Sequence, residues 1–305
     1  MRHHPKLLRL AQHLTLTAAV SALAGAGLTV TMTKPALAEF EIQESQVEKG
    51  EVELEYRGAV HWGFPKAERE EAEEDEEEGE EGGATEEEEE GEFLRQSHDF
   101  EFQWSMTDRF MFSTALSADE PLDEDLDLSS VEIELQYELI EREGNGLGLA
   151  VIGAYGFATV GGEADEIEFA PFVELASGPL LLTVNPIFTA QVGDNAETDS
   201  LGFEYGWRAE YDFAKHWGVG VEMFGEIEDL ANAGSFDDQA HSIGPTLFYN
   251  PGDDDEGEEN GNGDDDDEKV AGPAQMEFSL NVGVQFGLTD VTSDTALKFQ
   301  GSLAF

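Results

Sequence analysis

The chain has 305 residues, 40% of them hydrophobic and 28% charged, with no cysteine and a formal net charge of -54. The missing thiols exclude disulfides, thiolate catalysis and thiolate metal sites. The charge excludes a phosphate backbone as partner, so no nucleic acid is expected, and the length suits one large β domain or two smaller ones.

Residues 1–38 stand apart from the rest. Arg2, Lys6 and Arg9 precede an apolar stretch between Leu14 and Met32, and Ala36, Leu37 and Ala38 follow. A basic head, an apolar middle and small residues before the junction predict a cleaved secretory signal peptide, with an N-terminal membrane anchor as the rival reading. Cleavage leaves 11 basic residues against 69 acidic ones, a net charge of -58.

The acid is concentrated in two low-complexity runs, residues 66–92 and 251–268, which hold 17 and 11 carboxylates. Neither carries large apolar side chains whose burial would offset the entropy of ordering, so both are expected to be disordered loops. The second run lacks the glycine and glutamate register of a calcium loop.

Elsewhere apolar residues recur with period two. Val52, Leu54, Tyr56, Val60 and Trp62 alternate with Glu51, Glu53, Glu55, Arg57 and His61. The pattern returns at 100–104, 109–117, 131–139, 147–159, 166–176, 180–192, 201–213, 217–227, 239–249, 276–288 and 296–305, which makes twelve strands. Most run to ten residues or more, against about 5–6 for strands of soluble sheets and about 9–11 for strands that cross a bilayer at a tilt. The reading is an all-β transmembrane antiparallel up-and-down barrel, with an even count so that the wall closes. Ten or fourteen strands result if one ambiguous stretch is split or fused. Connections alternate short and long, as in outer-membrane barrels. Two break the rule: 289–294 is short for an outside loop, and the second acidic run falls on the short-turn side. Pro171, Pro186 and Pro245 lie inside strands and each removes a ladder donor, for which β-bulges offer an accommodation.

With the apolar sets toward lipid, the opposite sets line the lumen. The lining candidates are Arg57, Glu101, Glu132, Glu134, Glu138, Glu166, Glu168, Glu174, Glu204, Arg208, Glu210, Asp212, Glu222, Glu226, Glu277 and Lys298. Such an excess of carboxylates favours cations, although the acids could equally do no more than solvate the interior. Trp62, Trp104, Trp207, Trp217, Tyr56 and Tyr211 suit aromatic girdles. No enzyme is expected: there is no GxSxG motif, and Ser97–His98 and His241–Ser242 are chain neighbours that point to opposite faces of a strand. No metal site is expected from the four scattered histidines beyond residue 38, and no cofactor is implied.

The stretches WGVGVEMFGEI (217–227), GPTLFYN (244–250) and SLNVGVQFGLTDVTSDTALKFQGSLAF (279–305) resemble the end of a family of outer-membrane transporters named for the meta pathway of phenol degradation. The resemblance covers roughly the last 90 residues. It implies a barrel of this size passing hydrophobic or small organic molecules, and a terminal aromatic, Phe305, that serves as an assembly signal.

The expected function is a passive channel or transporter of a Gram-negative outer membrane, favouring cations or small polar and organic solutes. The alternative is a structural or divalent-cation-binding surface protein. The expected partners are outer-membrane lipid and lipopolysaccharide, the barrel-assembly machinery, and small cations or solutes.

Overall fold

The computed structural model describes residues 40–63, 94–122, 125–193, 195–196, 201–251 and 276–305. Residues 1–38, where a signal peptide is expected, and the body of both acidic runs lie outside the described residues.

Twelve antiparallel strands form one closed barrel. They are β1 (Val52–Trp62), β2 (Leu94–Ser105), β3 (Phe110–Pro121), β4 (Asp127–Ile140), β5 (Gly146–Ala158), β6 (Asp165–Ser177), β7 (Leu180–Val192), β8 (Gly202–Ala214), β9 (Trp217–Ile227), β10 (Ala240–Tyr249), β11 (Glu277–Gly287) and β12 (Thr295–Ala304). Each strand pairs with its sequence neighbours, and β1 pairs with β12 from Glu53↔Ala304 to Trp62↔Thr295. Val52 and Phe305 extend that seam, each donating its N–H to the other's carbonyl at 3.0 and 2.9 Å.

The alternation sorts side chains as the period requires. On β4 Leu135 is 51% exposed while its neighbours Glu134 and Gln136 are 4% and 1% exposed. Apolar residues therefore face out and polar ones face in, the reverse of a soluble barrel and the arrangement that hydrocarbon demands. The fold is a transmembrane β-barrel.

Several boundaries differ from the sequence reading. Strands β2 to β4 are longer than the stretches 100–104, 109–117 and 131–139. Their ladders continue through polar residues, Gln96↔Glu120 and Asp119↔Asp127 among them, where no apolar alternation signals a strand. The connection that the stretches 109–117 and 131–139 leave between them shrinks to residues 122–126 for the same reason. The second acidic run does join β10 to β11 at the end of the barrel that carries the short hairpins, here called the turn end. The short 288–294 connection closes on itself at the opposite, loop end, where the Thr289 and Thr292 hydroxyls bond at 2.7 Å and Asp294 N–H donates to Gly63 O at 2.7 Å.

Bulges occur near Gln96, Ser117, Glu138 and Asp212, not at the strand prolines. Of the expected girdle residues, Trp104, Tyr211 and Trp217 sit at the turn end and Trp62 at the loop end. Tyr56 and Trp207 lie mid-strand, where Tyr56 stacks on Phe100 with ring centroids 4.7 Å apart.

Deleting Phe305 removes both outermost seam bonds to Val52. Less of the protein is then expected to reach the heat-modifiable folded form on gels than when residues 68–92 are deleted. Equal yields from the two deletions would show that this end of the seam is dispensable.

Candidate functional site

A twelve-stranded wall encloses more room than its own side chains fill. That room holds a part of the chain with no strand pattern of its own, residues 40–50. Phe40 lies toward the loop end, with its ring 5.6 Å from His61 and 5.2 Å from Phe224. Gly50 lies at the turn end, where its N–H donates to Ser105 O at 2.8 Å. Eleven residues reach at most about 36 Å when extended, enough to run the length of the barrel. Gly50, at φ +91°, then reverses the chain into β1, a conformation that costs a residue without a side chain nothing.

The wall grips this segment at successive heights. The Arg57 guanidinium from β1 lies 2.9 Å from Glu41, 2.6 Å from Glu55 and 2.7 Å from Glu101. The Asn185 amide from β7 accepts from Gln43 N–H at 2.7 Å and donates to Gln43 O at 3.1 Å, as a neighbouring strand would. Gln43 also donates to Glu134 at 3.2 Å, and Gln136 donates to Glu44 O at 3.1 Å. Arg208 from β8 pairs with Glu44 at 2.8 Å and with Glu210 at 3.4 Å, and its guanidinium lies 5.1 Å over the Phe248 ring. Ser45 donates to Glu174 at 2.5 Å, and Glu174 in turn takes Arg142 at 3.3 Å. Lys298 from β12 sits 2.6 Å from Glu222, reaches Phe40 O at 3.4 Å, and lies 5.1 Å over the Phe224 ring.

Close approach needs a gap in the wall's side chains. Gly206 on β8 supplies it, since a Cβ there would stand 3.0 Å from Glu41 O and 3.2 Å from Ile42. Phe40, Ile42, Ala59, Phe224, Ala240 and Ala296 form an apolar cluster near the loop end, inside a barrel whose interior is otherwise mostly polar. Near it, Asp238 in the β9–β10 connection accepts from the Ser235 N–H and hydroxyl, both at 2.7 Å, which holds its carboxyl below the usual range.

Of the expected lining residues, Arg57, Glu101, Glu134, Glu138, Glu166, Glu174, Arg208, Glu210, Glu222 and Lys298 are buried. Glu132, Glu168, Glu204 and Glu226 are half-buried, whereas Asp212 and Glu277 are exposed at the turn end. Arg57, Arg208, Glu134, Glu174 and Lys298 meet the internal segment directly. The segment and its partners Asn185, Gln136 and Arg142 were not legible from strand periodicity. The available signal is Lys49–Gly50, a turn pair between residues 41–48 and the first strand.

The oxygens of Glu41, Glu55 and Glu101 converge within 4.8 Å, close enough to hold a metal ion. Arg57 already supplies a cation to all three. Neither of the two Ser–His pairs weighed from sequence forms. His98 bonds the Tyr56 hydroxyl and His241 the Tyr205 hydroxyl, at 2.8 and 2.9 Å. Instead His61 Nδ1 lies 3.0 Å from Ser293 Oγ, but its Nε2 has no partner and Phe40 stacks on its ring, so no acid orients it as a base.

Barrel and interior together define a transmembrane β-barrel with a chain segment bound along its lumen. No protein-family model matches the chain, and no curated protein matches it. Among solved structures it is similar to an outer membrane channel from Pseudomonas putida F1 at 9% identity, covering 88% of this chain and all of that one, with a TM-score of 0.48. It is similar to the KdgM porin in complex with disordered oligogalacturonate at 8% identity, over 83% of this chain and 98% of that one, with a TM-score of 0.44. LpxR from Salmonella typhimurium aligns at 10% identity over 83% of this chain and 99% of that one, with a TM-score of 0.36. Likeness of this degree says nothing of what the present barrel carries.

Arg57→Gln leaves buried Glu101 and half-buried Glu41 and Glu55 without their shared cation and is expected to cost about 3–5 kcal/mol. Arg95→Gln, at a half-exposed pair 3.4 Å from Glu120, should cost about 0–1 kcal/mol. Urea unfolding of the barrel in lipid vesicles measures both, and comparable losses would show that the Arg57 cluster contributes no more than a surface pair.

Proposed function

We propose that the chain is a passive channel of the outer membrane of a Gram-negative bacterium, exported on its N-terminal segment and occupied at rest by residues 40–48. The observation that carries this reading is the internal segment itself. A segment tied to the wall by ion pairs and single hydrogen bonds fills a pore that would otherwise be open, and each tie has a polar alternative in water. The wall around it is acidic. Glu134, Glu138, Glu174, Glu210 and Glu222 are buried with few cations among them, so the vacated path attracts cations and small polar solutes. The likeness of residues 217–305 to the meta-pathway transporters adds small organic molecules to the solutes proposed.

Planar-bilayer recording under a salt gradient tests the reading. The full chain is expected to give small, infrequent conductance steps. A chain lacking residues 40–47 should give steps several-fold larger, with a reversal potential of the sign for cation preference. Equal conductance from the two chains, or a reversal potential showing anion preference, would overturn it.

A further inference from the structure

Gln285 is the one residue among those described with two buried side-chain polar atoms that lack a partner, the amide nitrogen and the amide oxygen. On the same inward face, toward the loop end, the His61 Nε2 and the Ser242 hydroxyl are also without one. Gln285, His61 and Ser242 are 1%, 5% and 3% exposed. A buried donor or acceptor in this state has given up water and gained nothing, so each lowers stability.

Strand register explains why the wall cannot satisfy the amide. Gln285 pairs with Ala296 of β12, and Ala296 pairs with His61 of β1. On the other side, the register that runs from Ser242↔Gly287 to Thr246↔Gly283 sets Gly244 of β10 opposite Gln285. Along β11 the neighbouring inward residues are Gly283 and Gly287. All four positions around the amide are glycine or alanine, and none offers a polar side chain.

A single ring covers this part of the wall. Ser242 pairs with Phe224 of β9, so the arc runs from His61 through Ala296, Gln285 and Ser242 to Phe224. The Phe40 ring of the internal segment lies near both ends, 5.6 Å from His61 and 5.2 Å from Phe224, and shares an apolar cluster with Ala296 between them. It stands over an arc of polar atoms and has no group to bond any of them. The 288–294 connection roofs the loop-end side. There Ser293 Oγ lies 3.0 Å from His61 Nδ1, and Ser293 O leaves no room for a side chain on Gly287.

We propose that the arc of His61, Gln285 and Ser242 is a binding site for a small uncharged planar molecule carrying a carboxamide, which takes the place of the Phe40 ring. The proposal rests on the reading of residues 40–48 as a removable occupant. A carboxamide on the ligand pairs reciprocally with that of Gln285, donor to acceptor in both directions. One N–H and one lone pair are left over for Ser242 and His61. Because Ser293 bonds the other ring nitrogen, His61 Nε2 is a donor or an acceptor according to tautomer, and an amide answers either. The ligand's ring takes the position between His61 and Phe224 that suits a flat aromatic face. Charge is selected against, since Ala59, Phe224, Ala240 and Ala296 surround that position with apolar surface. Lys298, two residues from Ala296 on β12, is already paired with Glu222 at 2.6 Å.

Isothermal titration of the full chain in detergent micelles with nicotinamide, a water-soluble ring with a carboxamide, tests the site. Two analogues of the same shape serve as controls: 3-acetylpyridine has the carbonyl but no N–H, and nicotinate carries a charge. Nicotinamide is expected to bind roughly tenfold or more tightly than either. F40A removes the competing ring and should tighten nicotinamide binding several-fold. Q285L, of similar volume, should weaken it roughly tenfold or more, while the urea midpoint of the barrel stays level or rises because two orphaned atoms are gone. A lower midpoint would give the amide a structural role and overturn the proposal. Unchanged affinity in Q285L barrels that still migrate as folded, equal affinity for all three compounds, or no binding by either the native chain or F40A would overturn it too. Binding by F40A alone would keep the site and overturn the displacement of Phe40, and with it the removable segment, so the two failures are told apart.

Discussion

Every backbone N–H and C=O in hydrocarbon has to find its partner within the protein, and the rest of this structure is built on that constraint. It rules out a free edge, so β12 returns to β1 and the ladder closes from Val52 to Phe305. It sets the length of the strands and turns their apolar faces outward.

Closure creates an interior, and the interior poses an electrostatic problem. The wall carries many inward carboxylates and only a few cations, while the segment within it brings Glu41 and Glu44 as well. Its presence there depends on where those cations stand. Arg57 and Arg208 each neutralise one carboxylate of the segment together with at least one of the wall, and Lys298 ties the Phe40 carbonyl to Glu222. Each cation is shared, so removing one frees several charges together. An acidic strand inside an acidic barrel is stable only while those shared contacts hold, which is the physical basis for reading residues 40–48 as a removable occupant.

Strand periodicity in the sequence located all twelve strands because side chains alternate strictly and lipid is apolar throughout. The same logic picks out Arg57, Glu101, Glu134, Glu138, Glu174, Arg208, Glu210, Glu222 and Lys298, all of which are buried. It misplaced the ends of β2, β3 and β4, since a ladder can continue through polar residues once backbone pairing carries it past the hydrocarbon. It picks out Asp212 and Glu277 as well, which are exposed at the turn end.

The one-dimensional pattern therefore determined the class of fold and which face of each strand turns away from lipid, because those follow from local alternation and the dielectric on either side. Only the tertiary structure decided what fills the lumen and what that filling covers. Residues 40–48 have no pairing partner in sequence space, and their contacts lie with strands as distant as β8 and β12. Gln285 belongs to an alternating stretch like any other inward residue. That Ala296 and Gly244 flank it is a consequence of register, which is fixed when neighbouring strands pair.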